Sequence, residues 1–212
     1  IRLFSLILNK DLKLNSFEFC WLHYYYFGAF FLCQQMSNSF GNINENGFQS
    51  FLPVSSWTNP DPYANGDIIA TLWTSFNADL IYYQQVTDGP LLARATVEIN
   101  SMFLGLYFSA SWLFITTWVA VPYSSNTGVA TFQMVLVGGE DDELSFLLMN
   151  YGDIAPTGQP WLVSFAGYRS ESGIYKYTID EPNPSDLSKS TNKGLPGQWA
   201  FRVDEEMGEF TI

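Results

Sequence analysis

From Ser37 onward apolar, strand-forming runs are punctuated regularly by turn residues, and around 131–151 the runs alternate with the period of two that marks strands. Over 131–137, Phe132, Met134 and Leu136 share one side, and Gln133, Val135 and Val137 the other. Both sides are largely apolar, which predicts a central strand covered on two faces. The same reading predicts strands over 67–76, 80–85, 112–121 and 144–151, then shorter ones over 161–168, 174–179 and 198–203. The polar stretch 138–143, Gly-Gly-Glu-Asp-Asp-Glu, reads as the tip of a hairpin. The period changes once. After Thr87-Asp88-Gly89-Pro90 the apolar residues Leu91, Leu92, Ala95, Ile99 and Phe103 recur at helical spacing, predicting a helix over 89–103. Asp88 is the expected N-cap, Pro90 suits the first turn, and Arg94 and Glu98 are expected four apart on the opposite side. Asn46-Gly47 and Asn65-Gly66 are turn dipeptides, and Pro60 and Pro62 make 57–62 a loop. Asn150-Tyr151-Gly152-Asp153 is expected to turn at the end of its strand. The fold class is mainly β, α+β by strict count: an antiparallel β-sandwich with one helix packed across it.

Composition supports a packed domain. Of 212 residues, 47% are hydrophobic, 17% aromatic and 14% charged, the opposite of a disordered chain. A chain of this length buries roughly 70% of the surface it exposes when unfolded. The net charge of −12 is unevenly spread. Residues 37–212 hold six basic and 19 acidic side chains, a surface that repels phosphate backbones and anionic lipid. Nucleic acid is thereby excluded as the expected partner.

Residues 1–36 are different in kind. The run 17–33 is apolar and aromatic but shorter than the ~20 residues of a membrane span, and it contains Glu18 and His23. A span, a cleaved signal, and a fragmentary or misassigned end are the three readings, the last being preferred. The expected division is this atypical segment at 1–36, one domain at 37–205 and a tail at 206–212.

Chemistry is sparse. Both cysteines, Cys20 and Cys33, and the single histidine precede residue 37, so the body contains neither a thiol nor an imidazole for nucleophilic catalysis or zinc. The acids Asp79, Asp153, Glu171 and Asp180 show no spacing that pairs them for glycoside hydrolysis. Glu140, Asp141, Asp142 and Glu143 form the densest charge, and Asp141 and Asp142 are candidate calcium ligands. Four consecutive acids point in different directions, however, and a solvated hairpin tip is the preferred reading. Trp112, Phe114 and Trp118 share one strand face and are expected in the core. Trp57, in its proline-flanked loop, and nearby Tyr63 are the expected exposed aromatics, suited to stacking on a sugar ring. No enzyme activity and no cofactor are expected.

The landmarks in order resemble the NIDO domain, the nidogen-type extracellular module. The likeness lies in NINENGFQSF (42–51), IIATLWTSFNADLIYYQQVTDGPLLARAT (68–96), SWLFITTWVAVPY (111–123), TFQMVLVGGEDDELSFLLMNYGDI (131–154) and NKGLPGQWAFRVD (192–204). It covers roughly 38–204 and is nearest in flavour to the α-tectorin and mucin-4-like types. Ser75 and Asn77 stand where the family usually has acids, and Gln84 where it has a base, so no cation site of relatives is carried over. No counterpart of the family's aromatic Phe-Phe-Gly strand precedes 42–51, which is expected to leave a sheet edge unpaired. The resemblance implies a non-catalytic module of a larger matrix, apical or mucin-like protein. It implies an extracellular location, a link to cell–matrix adhesion, and matrix or cell-surface proteins as partners. A membrane would be reached only through other parts of the parent protein. A carbohydrate-binding sandwich is the alternative.

Overall fold

The structure is a computed structural model that describes residues 13–15, 42–51, 59–63, 68–78, 80–139, 144–169 and 173–204. Eleven strands are formed among them: β1 (Lys13–Asn15), β2 (Asn42–Asn44), β3 (Phe48–Ser50), β4 (Ile68–Trp73), β5 (Leu80–Val86), β6 (Ala110–Pro122), β7 (Val129–Gly139), β8 (Ser145–Ile154), β9 (Leu162–Arg169), β10 (Gly173–Thr178) and β11 (Gln198–Arg202). One helix, α1 (Pro90–Met102), and a 3₁₀ turn (Pro184–Ser188) complete them. A six-stranded sheet runs β1-β5-β6-β7-β8-β11, and a five-stranded sheet runs β10-β9-β4-β3-β2. Neighbouring strands in both sheets pair antiparallel.

The alternation in β7 explains the layers. Phe132, Met134 and Leu136 enter the core between the sheets, where they join Trp118, Leu147, Met149 and Phe201 from their own sheet and Ile69, Leu72, Val163 and Phe165 from the other. Val135 and Val137 face outward into a second core with Leu113, Ile115, Phe146 and Leu148, closed by Ala95 and Ile99 of α1. Beyond the helix that outer face turns polar. Thr117, Gln133, Asn150 and Gln198 stand in register across β6, β7, β8 and β11. Their side chains bond in series: Gln133 donates to Thr117 (2.9 Å), Asn150 to Gln133 (3.3 Å) and Gln198 to Asn150 (3.0 Å). A buried row of amides is tolerated here because each side chain finds a partner in the next strand.

Between β2 and β3 the chain turns through Asn44–Gly47, and this turn is inserted between the sheets. Gly47 has φ 83. Its carbonyl accepts from Leu72 N (3.1 Å), and the Asn46 carbonyl accepts from Thr74 N (3.1 Å). The Asn46 side-chain oxygen accepts from Phe76 N (3.1 Å), and Trp118 Nε1 donates to the Asn44 carbonyl (3.1 Å). A second tie joins the layers where Tyr151 Oη donates to Thr71 O at 2.7 Å.

Four expectations change. Asn150–Asp153 do not turn: β8 continues to Ile154, because β7 begins early enough for Ala130 to pair with Ile154, with a register shift between Ala130 and Phe132. Asp88 is not the N-cap. That position belongs to Gly89 (φ 84), with no side-chain cap, since the helix starts directly at Pro90. Glu98 is buried beside Ala95 and Ile99 rather than solvated. Finally, Lys13–Asn15 pair with Leu80–Tyr82, so a stretch ahead of residue 37 does supply an edge partner. On the opposite edge, the Asn192 side chain donates to Ala200 O (2.8 Å) and accepts from Ala200 N (2.9 Å), occupying the outward backbone groups of Ala200 at the middle of β11.

Candidate functional site

Of the exposed aromatics expected from sequence, Tyr63 is 85% exposed, while Trp57 lies outside the described residues. Tyr63 N donates to Asp61 Oδ1 (2.8 Å), an Asx turn that stiffens the proline-rich segment 59–63. The Pro62 carbonyl accepts from Lys176 Nζ of β10, tying the loop to the second sheet. Burial lowers the Lys176 pKa, and Asp61 acts against that shift. Glu140, Asp141, Asp142 and Glu143 also lie outside the described residues. Their flanking residues are placed: Gly139 N donates to Leu144 O (3.0 Å), closing the β7–β8 hairpin.

A surface that sequence reasoning missed follows α1. Helix and loop are strapped together by one amide. Asn100 Nδ2 donates to Thr96 O (2.8 Å) and Phe108 O (2.7 Å), and Asn100 Oδ1 accepts from Phe108 N (2.8 Å). Thr96 Oγ1 accepts from Ala110 N (3.0 Å) where β6 begins. Phe108 is thereby buried against Phe146, with ring centroids 4.8 Å apart. The residues before it point outward: Leu104 is 86% exposed and Tyr107 94%. Tyr107 has φ 51, a left-handed backbone that costs an aromatic residue about 1–2 kcal/mol. An open cleft of about 430 Å³ lies among Asn100, Gly105, Tyr107 and Phe108. The signal available in the sequence was Leu104-Gly105-Leu106-Tyr107, apolar residues broken by glycine just past the helix, but hydrophobicity alone does not separate a surface anchor from core.

Glu98 sits on the inner face of α1, 6% exposed, and its Oε2 has no hydrogen-bond partner among the described residues. Burial pushes its pKa up to about 7, against the opposing pull of Arg94. A carboxyl group whose folded pKa is raised holds its proton longer in the native state than in the unfolded one. Stability therefore falls as pH rises from the ordinary value of 4.5 to about 7. The loss is at most about 3.5 kcal/mol, because one pKa unit corresponds to about 1.4 kcal/mol. Glu98→Gln is expected to abolish most of this slope, leaving the melting temperature nearly level across the window and higher than wild type at pH 8. Scanning calorimetry at several pH values checks it, and a wild-type slope retained in the variant would refute the assignment.

Among the described residues no group of three or more His, Cys, Asp or Glu side chains gathers as metal ligands, and Asp153 and Asp180 are separately exposed. What the frame presents instead is loops: a braced apolar turn, a tyrosine loop and the ends of an acidic hairpin. Together, sandwich, wedged turn and loops define a β-sandwich module that presents loops from a rigid frame.

The chain belongs to the nidogen-like domain family, whose model matches residues 38–205. It is 33% identical to alpha-tectorin of Mus musculus over 187 residues, covering 76% of this chain and 8% of that protein. It is 32% identical to alpha-tectorin of Homo sapiens over 187 residues, with the same coverage. Nidogen of Drosophila melanogaster is 33% identical over 108 residues, 45% of this chain and 8% of that protein. The chain thus spans about 8% of the length of these curated relatives. No solved structure matches it. The domain is extracellular, as the resemblance implied, and among the described residues no helix is long and apolar enough to cross a membrane.

Proposed function

We propose that this domain is a non-catalytic interaction module that contributes to cell–matrix adhesion as one part of a larger matrix, apical or mucin-like protein. Membership of the nidogen-like family carries the reading. The braced sandwich supports it, because a rigid frame holds contact loops at low entropic cost on binding. The loops 53–66 and 138–143 are the proposed contacts, with Tyr63, Glu140, Asp141, Asp142 and Glu143 facing other matrix or cell-surface proteins. A glycan-binding reading through Trp57 and Tyr63 draws support from the near-complete exposure of Tyr63 on a stiffened loop.

Solid-phase binding of the domain to purified matrix proteins, untreated and enzymatically deglycosylated, separates the two. Saturable binding that survives deglycosylation is expected. Binding that disappears on deglycosylation, and also in Trp57→Ala/Tyr63→Ala, would establish the glycan reading instead. No saturable binding to either preparation would sink the module reading.

A further inference from the structure

We propose that Thr157 is an O-glycosylation site, its hydroxyl taking an N-acetylhexosamine from a nucleotide-sugar donor during secretion. This goes beyond the interaction-module reading and requires only that the domain is extracellular. Thr157 lies between β8 and β9 in the sequence Ala155-Pro156-Thr157-Gly158-Gln159-Pro160. It alone, among the Ser and Thr of the described residues, has a proline on each side within three positions. Proline fixes its own φ and steers the residue before it to extended backbone, so Pro156 and Pro160 favour an open segment at both ends. Hydroxyl residues set among prolines are the composition of O-glycosylated stalks. Pro156, Gly158 and Pro160 are exposed, and no backbone–backbone hydrogen bond holds 156–159. A transferase can therefore take up this segment without opening a sheet. By contrast, Thr71, Thr74, Thr116, Thr117, Ser145 and Ser164 are buried.

One side chain positions the segment. Gln159 Nε2 donates to Ser75 O (2.8 Å) and Thr74 Oγ1 (3.1 Å), and its Oε1 accepts from Ser125 N (2.7 Å) and Ser124 Oγ (3.2 Å). These bonds lay it against the β6–β7 turn, where Ser124, Ser125 and Thr127 are exposed. Thr157 itself is half-buried. Its Oγ1 accepts from Thr127 Oγ1 (3.0 Å) and Gln159 N (3.2 Å) and donates to none of the described residues. The hydroxyl proton is thus uncommitted, and both accepted bonds are neutral ones at the surface, cheaply exchanged for water. In the transfer, the bond from sugar C1 to the donor's diphosphate oxygen breaks and C1 bonds to Thr157 Oγ1. The hydroxyl proton leaves with the diphosphate.

Charge favours this place. The chain carries −12, yet neither 99–139 nor 154–168 contains an acidic or basic residue, and Asp153 is the nearest acid in sequence. An acidic surface would repel the diphosphate of the donor, whereas these two loops do not. The end of β4 and the start of β7 meet here through Gln159. Segments 53–66 and 138–143 lead into the start of β4 and away from the end of β7, at the opposite end of the sandwich. A glycan on Thr157 leaves them uncovered.

The test is the intact mass of the chain secreted from mammalian cells, with electron-transfer fragmentation to place any glycan. Wild type is expected to carry at least one N-acetylhexosamine on Thr157. The increment should vanish in Thr157→Ala and persist in both Thr157→Ser and Ser125→Ala/Thr127→Ala. Fragmentation of the wild-type chain decides the site even where a variant is not secreted. The proposal is overturned if secreted wild type carries no N-acetylhexosamine, or carries it elsewhere while Thr157 stays bare.

Discussion

Replacing Gly47 by alanine is expected to lower the stability of the domain by roughly 2–5 kcal/mol, a large share of the ~5–15 kcal/mol typical of a folded domain. A Cβ built on Gly47 would stand 2.0 Å from the Leu72 carbonyl oxygen and 3.1 Å from the Phe132 ring. The residue also holds φ 83, which costs any side chain about 1–2 kcal/mol before the collision is counted. Relief would require the turn to withdraw from between the sheets. That would break the bond from Leu72 N to Gly47 O and pull Asn46 away from Thr74 and Phe76. Gly194→Ala is the control. Its φ of 79 is nearly the same, but nothing lies within 4 Å of its Cβ, so positive-φ strain acts there without the clash. Guanidinium unfolding of both variants measures the difference. If the two midpoints fall equally, the wedged turn is not under the steric constraint described.

The second large effect is expected at Trp118. It is fully buried, stacks on Phe132 with centroids 4.9 Å apart and planes 14° apart, and donates to Asn44 O. Trp118→Ala should cost about 3–5 kcal/mol through lost burial and the cavity left behind. Trp118→Phe keeps an aromatic ring in the core but deletes the donor, and the Asn44 carbonyl, which still accepts from Gly47 N, loses its second bond at about 1 kcal/mol. Far-ultraviolet circular dichroism is the suitable probe, since the substitution alters tryptophan emission itself. An alanine variant as stable as the phenylalanine one would show that the ring packs more loosely than these distances require.

Much of this architecture is legible in the sequence where one physical rule dominates. In β7 the alternation of Phe132, Met134 and Leu136 with Val135 and Val137 predicts two covered faces, and both cores are found there. The helix was legible from Leu91, Leu92, Ala95 and Ile99, yet Glu98 was misplaced. Its spacing from Arg94 suggested a surface ion pair, whereas its position three residues after Ala95 sets it on the inner face. Asp88 looked like a cap because it is the favoured residue type. The fixed φ of Pro90 starts the helix one residue later and passes the role to Gly89. Asn46-Gly47 announced a turn but not that the turn is driven between two sheets, because that depends on contacts with Leu72, Thr74, Phe76 and Trp118, distant in sequence. For the same reason Leu104 and Tyr107 read as ordinary apolar residues, since exposure is a property of the assembled fold.

The Asn192 amide lends β11 the outline of one more strand while ending there, like a terminator unit on a growing polymer. Such a cap matters wherever copies of a module are crowded at high local density. A bare margin on the six-stranded sheet would invite a neighbour's strand to add on, and then another, converting reversible recognition into irreversible fibre growth. With the middle of that margin occupied by the Asn192 carboxamide and its start by Thr191 and Leu195, strand addition there is blunted and the loops are left as the way to meet neighbours.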